Sequence, residues 1–384
     1  MPTRFYFLAA SVLAASLLAL PQVQAKATAV IAPASAPINP VTPANLELVF
    51  VLDTTGSMGG LLEGAKTKIW GIINDIMQKR GGQNLKVKVG LVAYRDRQDA
   101  YLTKVTRLSE NLDEVYAELS SFRAEGGGDT PEDVRSAMRD ALDNVAWSKP
   151  GPRTSQIIFL VGDAPPHDDY ADVPDTLSST KRARAAGMIV NTIQCGNISA
   201  TTLPWRNIAQ YGGGEYFSIA QDGGVQAIAT PYDVELASLG QRIGSTYLAY
   251  GSSALQKSKA AKQEALEVRI SGAKAAPAAE RAVNKALNSS AYDESDLIQQ
   301  VENGGVSLDK LKEEELPDSL RSLDAKQRQA KLDQAIAERK ALREQILRLS
   351  KQREQYLAEQ RSKAGTGKTG FDGAVQAALD KQIK

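Results

Sequence analysis

Three short segments of the 384-residue sequence place carboxylates and hydroxyls at spacings that suit a hard cation. In VFVLDTTGSM (49–58) an apolar run ends in Asp53, and Thr55 and Ser57 follow at alternating positions. Three oxygen side chains so spaced on one loop can turn inward together. Mg²⁺ takes octahedral oxygen ligands, commonly one or two carboxylates with waters completing the shell. The same residue types also cap helices routinely, and this loop taken alone reads as a cap. In EGGGDTPEDV (125–134) three glycines permit unusual backbone angles and close approach of a loop, and Asp129 or Thr130 stands directly before a helix that begins with Pro131. Thr130 has a cap reading too. In IIFLVGDAPPHDD (157–169) a second apolar run ends in Asp163, fixed by the prolines that follow. If the two apolar runs are neighbouring parallel strands, Asp53 and Asp163 reach the same sheet edge. Ligands bind in the crevice beyond that edge, and two carboxylates there need a cation to offset their repulsion.

Other reactive residues give weaker signals. His167 is the only histidine, four residues past Asp163 and beside Asp168 and Asp169. It could tune the site or sense pH, although a lone loop histidine is most often an ordinary surface residue. Cys195, the only cysteine, lies in the apolar run MIVNTIQC and reads as a buried, inert thiol; a single cysteine also excludes an internal disulfide. GTGKTG (365–370) contains the GKT of a phosphate-binding loop, but the glycine required five positions earlier is Ser362 and no strand precedes it. No GxSxG occurs, and one histidine leaves little choice for a triad. A metal hydrolase usually draws on histidine ligands or on two metals, and the sequence supplies no histidine cluster.

The elements that must position these residues alternate along the chain. Strands are predicted at 46–52, 86–94, 101–108, 156–162, 187–195 and 215–219. The first and fourth are nearly all apolar, as strands covered on both faces should be, whereas the third alternates and reads as an antiparallel edge strand. Helical stripes lie between them: Leu62, Ala65, Ile69, Ile72, Ile73 and Ile76 in one, and Val134, Ala137, Met138, Ala141, Leu142 and Val145 in another. A third helix starts at Asn111 with Glu114 at capping-box spacing. The pattern predicts an α/β fold, a doubly wound and mostly parallel sheet with one antiparallel edge strand, over residues 45–250.

With these motifs in place, the sequence resembles a von Willebrand factor type A domain over about half its length. That family carries a metal-ion-dependent adhesion site built from an Asp-x-Ser-x-Ser loop, a threonine on a second loop and an aspartate on a third. Asp53-Thr54-Thr55-Gly56-Ser57 matches the first, with Thr55 replacing a serine and keeping the hydroxyl. Asp163 matches the third, and the second falls on Thr130 or Asp129. The resemblance implies that Asp53, Thr55 and Ser57 hold Mg²⁺, or another divalent cation such as Mn²⁺ or Ca²⁺, directly or through water. It further implies a coordination position for an Asp or Glu side chain of a protein partner, and a binding role without enzymatic activity.

The rest of the chain is read from composition. Residues 1–25 look like a signal peptide, with Arg4, an apolar stretch from Phe5 to Leu20 and small residues before a cleavage site; the run is short for a membrane span. No cysteine follows that site, so a lipid anchor is not indicated, and the expected location is periplasmic or secreted. Residues 26–44 read as an extended linker. Removing the leader leaves 45 basic and 45 acidic side chains, so charge gives no reason to expect nucleic acid. Residues 251–384 carry no tryptophan and read as a helical extension. Within it Leu332, Ala335, Leu342, Ile346, Leu349 and Tyr356 fit a coiled-coil a/d seam, interrupted by Arg339 and Arg353 at a positions. Self-association through these helices is one expectation, and a solvated helix packed on the main domain is the other. Basic residues outnumber acidic ones 15 to 8 from Arg321 onward, an excess that would favour an acidic surface.

Overall fold

Six strands form one sheet in the order β3-β2-β1-β4-β5-β6. The computed structural model describes residues 44–79, 85–225, 228–364 and 370–383. The leader, residues 26–43 of the linker and residues 365–369 of the GTGKTG stretch lie outside the described residues. The strands are β1 (Ala44–Asp53), β2 (Leu85–Tyr94), β3 (Thr103–Ser109), β4 (Thr154–Gly162), β5 (Ile189–Cys195) and β6 (Gly213–Ile219). β1 pairs in parallel with β2 and β4, β4 with β5 and β5 with β6, while β3 runs antiparallel to β2 at the edge. The order reverses between β1 and β4, and this switch point opens the crevice that a doubly wound sheet offers to ligands.

Strand alternation divides the core into two layers. Leu46, Leu48, Phe50 and Leu52 of β1 share one face with Ile157, Phe159 and Val161 of β4, covered by α1 (Gly59–Lys79) and α2 (Leu112–Ser121). Val49, Val51, Ile158 and Leu160 point the other way, under α3 (Val134–Asp143), α4 (Thr176–Ala185) and α5 (Ser199–Tyr211). The predicted stripe of α1 is wholly buried. The Asn111 cap is present as well: its side-chain oxygen accepts from the Asp113 amide, and its side-chain nitrogen donates to Glu114.

The helices after β6 are α6 (Asp233–Gly244), α7 (Ser253–Ser271), α8 (Ala275–Leu287), α9 (Leu297–Glu302), α10 (Asp318–Arg321), α11 (Ala325–Ala364) and α12 (Phe371–Gln382). Of these, α7, α8 and α12 pack onto the sheet layer, and α6, α9, α10 and α11 build outward from them. Phe371, Ala374, Val375, Ala378 and Leu379 of α12 join the cluster around β1 and α1, with the Phe371 and Phe50 rings 5.8 Å apart. Arg281 of α8 makes two 2.7 Å hydrogen bonds to Asp113 of α2, and Lys285 lies 2.9 Å from the same carboxylate, with all three side chains buried.

The heptad seam of α11 is occupied within the chain. Leu342 and Ile346 pack with Leu236, Leu239 and Ile243 of α6 and Val283 of α8, and Leu332 packs with Leu297 and Ile298 of α9. The two arginines at a positions are buried ion-pair partners: Arg339 of Asp296, and Arg353 of Asp233 and Glu280. A charge on the apolar stripe is thus matched by acids on the facing helices, which spacing alone does not reveal.

Candidate metal centre

Backbone hydrogen bonds assemble three loops at the carboxyl edge of β1 and β4. The Thr54 amide donates to the Tyr94 carbonyl, the Glu125 amide to the Thr54 carbonyl and the Gly56 amide to the Gly126 carbonyl, which seats the glycine loop on the first loop. The Glu132 amide donates to Pro165, and the His167 amide to the Glu132 carbonyl, tying the loop after β4 to the start of α3. Buried Arg135 holds that same loop from within, donating to the carbonyls of Asp168 and Val173. Gly127, at φ +81°, lets the glycine loop lie close over the Thr55 and Glu132 side chains, which a Cβ there would meet at 3.0 Å.

Asp53 sits at the centre, fully buried at the end of β1. Its Oδ1 accepts from the Thr55 amide at 2.9 Å and the Thr55 hydroxyl at 2.6 Å, and that hydroxyl lies 3.5 Å from the exposed Ser57 Oγ. Its Oδ2 is buried without a hydrogen-bond partner. Asp163 follows β4 one residue beyond Gly162, and its Oδ2 accepts from the Gln221 amide, which also donates to the Ser57 carbonyl. The two predicted carboxylates therefore stand at one edge on adjacent strands. Asp129 and Thr130 are exposed, and the Asp129 carboxylate lies 3.8 Å from His167 Nε2.

Several residues of the site carried no motif signal. Glu132 is buried, its Oε2 is also without a hydrogen-bond partner, and its ionisation is opposed by Asp53. Asp96 and Asp99 on the loop after β2 add further negative charge. Burial, with contributions from Asp163 and Asp99, pushes Asp53 up to about 7 against the hydrogen bonds from Thr55. Burial and then Asp53, Asp96, Asp99 and Asp163 push Glu132 up to about 9. The Tyr94 hydroxyl, buried without a hydrogen-bond partner, is pushed well above its usual range by burial and then by Asp53, Glu132 and Asp163. His167, expected at the surface, is 9% exposed because Tyr170 stacks on its ring and the loop backbone is pinned to Glu132. Cys195 is buried as expected, and burial holds its thiol in the protonated form.

Converging carboxylates with buried, unpartnered oxygens need a positive charge, and an all-oxygen donor set suits a hard divalent cation. The residues present thus fit the cation that the sequence implied. Fold and site together define a doubly wound α/β domain with an acidic crevice at its topological switch point. The family model of the von Willebrand factor A domain matches residues 47–231, and this chain carries such a domain.

Among curated relatives, von Willebrand factor A domain-containing protein 7 of Homo sapiens is 31% identical over 150 residues, covering 39% of this chain and 15% of the relative. Alpha-protein kinase vwkA of Dictyostelium discoideum is 29% identical over 133 residues, covering 34% and 20%. A putative ariadne-like RING finger protein of Acanthamoeba polyphaga mimivirus is 29% identical over 159 residues, covering 40% and 15%. The chain thus spans a fifth or less of the length of these relatives. The solved SpRpn10 VWA domain is similar at 13% identity and a TM-score of 0.35, over 46% of this chain and 89% of that one. Proximal thread matrix protein 1 from the mussel byssus has 14% identity and a TM-score of 0.33, over 47% and 43%. Domains of the family are for the most part protein-interaction modules. No helix among the described residues is long and apolar enough to cross a membrane.

Proposed function

We propose that this protein is an exported, non-enzymatic binding module that grips an acidic group of a protein partner through one divalent cation, Mg²⁺ in the first instance. Asp53, Thr55, Ser57 and Asp163 hold the ion. Thr130 supplies the second-loop hydroxyl, since Asp129 lies toward His167. Glu132, buried nearby with its carboxyl pushed up to about 9 by burial and the surrounding carboxylates, is a further acid that a cation would help to ionise. The observation that carries the reading is Asp53 Oδ2: a fully buried carboxylate oxygen without a hydrogen-bond partner, at the ligand-binding edge of the sheet. Mg²⁺ held by few protein carboxylates keeps exchangeable positions, and a partner Asp or Glu is the hard anion suited to one of them.

The test is capture of partners by the full chain in Mg²⁺ and again in chelator, alongside calorimetric titration of Mg²⁺ into wild type and Asp53→Ala. The expected result is capture and ion binding that are both lost with Asp53→Ala while the far-ultraviolet spectrum is unchanged. Capture that survives both chelation and Asp53→Ala would sink the reading and move attention to the basic helical region.

A further inference from the structure

A second constellation lies beside the crevice and uses different side chains. Asp96 Oδ2 and Asp129 Oδ1 lie 3.5 Å and 3.8 Å from His167 Nε2, and each of the three residues offers a ligand atom within 4.8 Å of the other two. Nε2 is buried and makes no hydrogen bond. The other ring nitrogen, Nδ1, lies 2.8 Å from Asp169 Oδ1. An ionised carboxylate only accepts, so Nδ1 carries the proton and the Nε2 of a neutral ring presents its lone pair to two carboxylates. Such an arrangement needs a cation between them, either a proton on Nε2 or a metal ion.

Distances decide between the two. A charged N–H donating to a carboxylate draws the oxygen in to about 2.8 Å. Zinc bonds of roughly 2.0 to 2.2 Å to nitrogen and oxygen give tetrahedral ligand-to-ligand edges of about 3.4 Å. The observed separations are too long for the hydrogen bond and close to the edge. Outer contacts are in place as well. Asp169 fixes the imidazole tautomer, the Tyr170 ring stacks on it at 4.1 Å, and the Tyr170 hydroxyl donates to Asp96 at 2.8 Å. Histidine ligands are characteristically oriented by a carboxylate on the other ring nitrogen.

We propose that Asp96, Asp129 and His167 form a zinc-type site, separate from the Mg²⁺ reading of Asp53. An imidazole nitrogen with two carboxylate oxygens suits Zn²⁺ better than Mg²⁺, and three protein ligands leave a fourth vertex for water. The ion would fasten the loop after β2, the glycine loop and the loop after β4, the three segments that frame the Asp53 crevice.

One histidine in the whole chain makes the test direct. Full-length protein labelled with ¹⁵N-histidine is titrated with ZnCl₂ in the presence of excess Mg²⁺ while both imidazole nitrogens are followed. The expected result is saturation at one equivalent, with the Nε2 resonance moved to a metal-bound position and Nδ1 keeping its proton. Asp96→Asn and Asp129→Asn should each weaken zinc binding by about tenfold or more, and Asp53→Ala should leave it unchanged. An imidazole signal that zinc does not move overturns the proposal, and because it is read on wild type it does not depend on the variants folding. Zinc uptake insensitive to both asparagine variants, or abolished by Asp53→Ala, overturns it too. Mg²⁺ binding in the same samples reports separately on the first site.

Discussion

Replacing Asp53 with asparagine should make the metal-free protein more stable while destroying its Mg²⁺ site. Asparagine keeps the oxygen that accepts from the Thr55 amide and hydroxyl and removes the charge from the side that lacks a partner. Burial above all, with Asp163 and Asp99, raises the Asp53 carboxyl from 3.8 to about 7. At about 1.4 kcal/mol per tenfold change in acidity, ionising it inside the fold costs on the order of 4 kcal/mol. The sign follows from proton counting: between the unfolded and folded values the native state holds the extra proton, so wild type loses stability as pH rises through that window, and the loss is complete above about pH 7. In chelator at pH 8, Asp53→Asn should gain roughly 1 to 4 kcal/mol, the lower end allowing for imperfect placement of the new amide, and the gain should shrink by about 3 kcal/mol at pH 5. Urea unfolding followed by circular dichroism at both pH values measures this, and a repeat in Mg²⁺ should stabilise wild type only. A gain equal at the two pH values, or a loss at pH 8, would refute the account of Asp53 as a buried charge awaiting a cation.

Four further outcomes follow from the packing. Arg281→Met leaves Asp113 and Glu267 without their principal partner and should cost about 3 to 5 kcal/mol in urea unfolding. Burial pushes Asp113 up, but Arg281 and Lys285 outweigh it and hold the carboxyl well below its usual range. The stability this contributes is present above about pH 4 and is lost on acidification below it, so an acid titration of wild type should fall steeply there and Arg281→Met should lose that step. Phe371→Ala empties part of the layer around Phe50 and should cost about 3 to 5 kcal/mol, read as a shift of the urea midpoint. Gly127→Ala strains a left-handed backbone and presses on Thr55 and Glu132; Mg²⁺ titration should show weaker binding, with a stability loss of about 1 to 2 kcal/mol.

The strands were legible because burial on both faces leaves a continuous apolar run, and β3 betrayed its edge position by alternating. Asp53 and Asp163 were legible for the same reason, each being the first carboxylate after such a run. Glu132, Asp96 and Gln221 were not. In sequence they are ordinary polar loop residues, and only the docking of one loop on another buries them or turns them toward the crevice. His167 misled in the same way, since neither its stacking on Tyr170 nor its backbone bond to Glu132 has a local signature. Arg339 and Arg353 looked like faults in a dimer seam, because their acidic partners stand between 43 and 120 positions away. Phe371 gave no hint of its place against Phe50: one aromatic in a polar stretch carries no periodicity.

The seating of α12 against β1 and α1 bears on the order of events during synthesis. A nascent chain emerging from the ribosome displays Phe50, Ile73 and their neighbours long before Phe371 exists to cover them, so this layer cannot close cotranslationally. Until then the unfinished chain presents an apolar surface, and a product cut short ahead of that helix would keep it exposed.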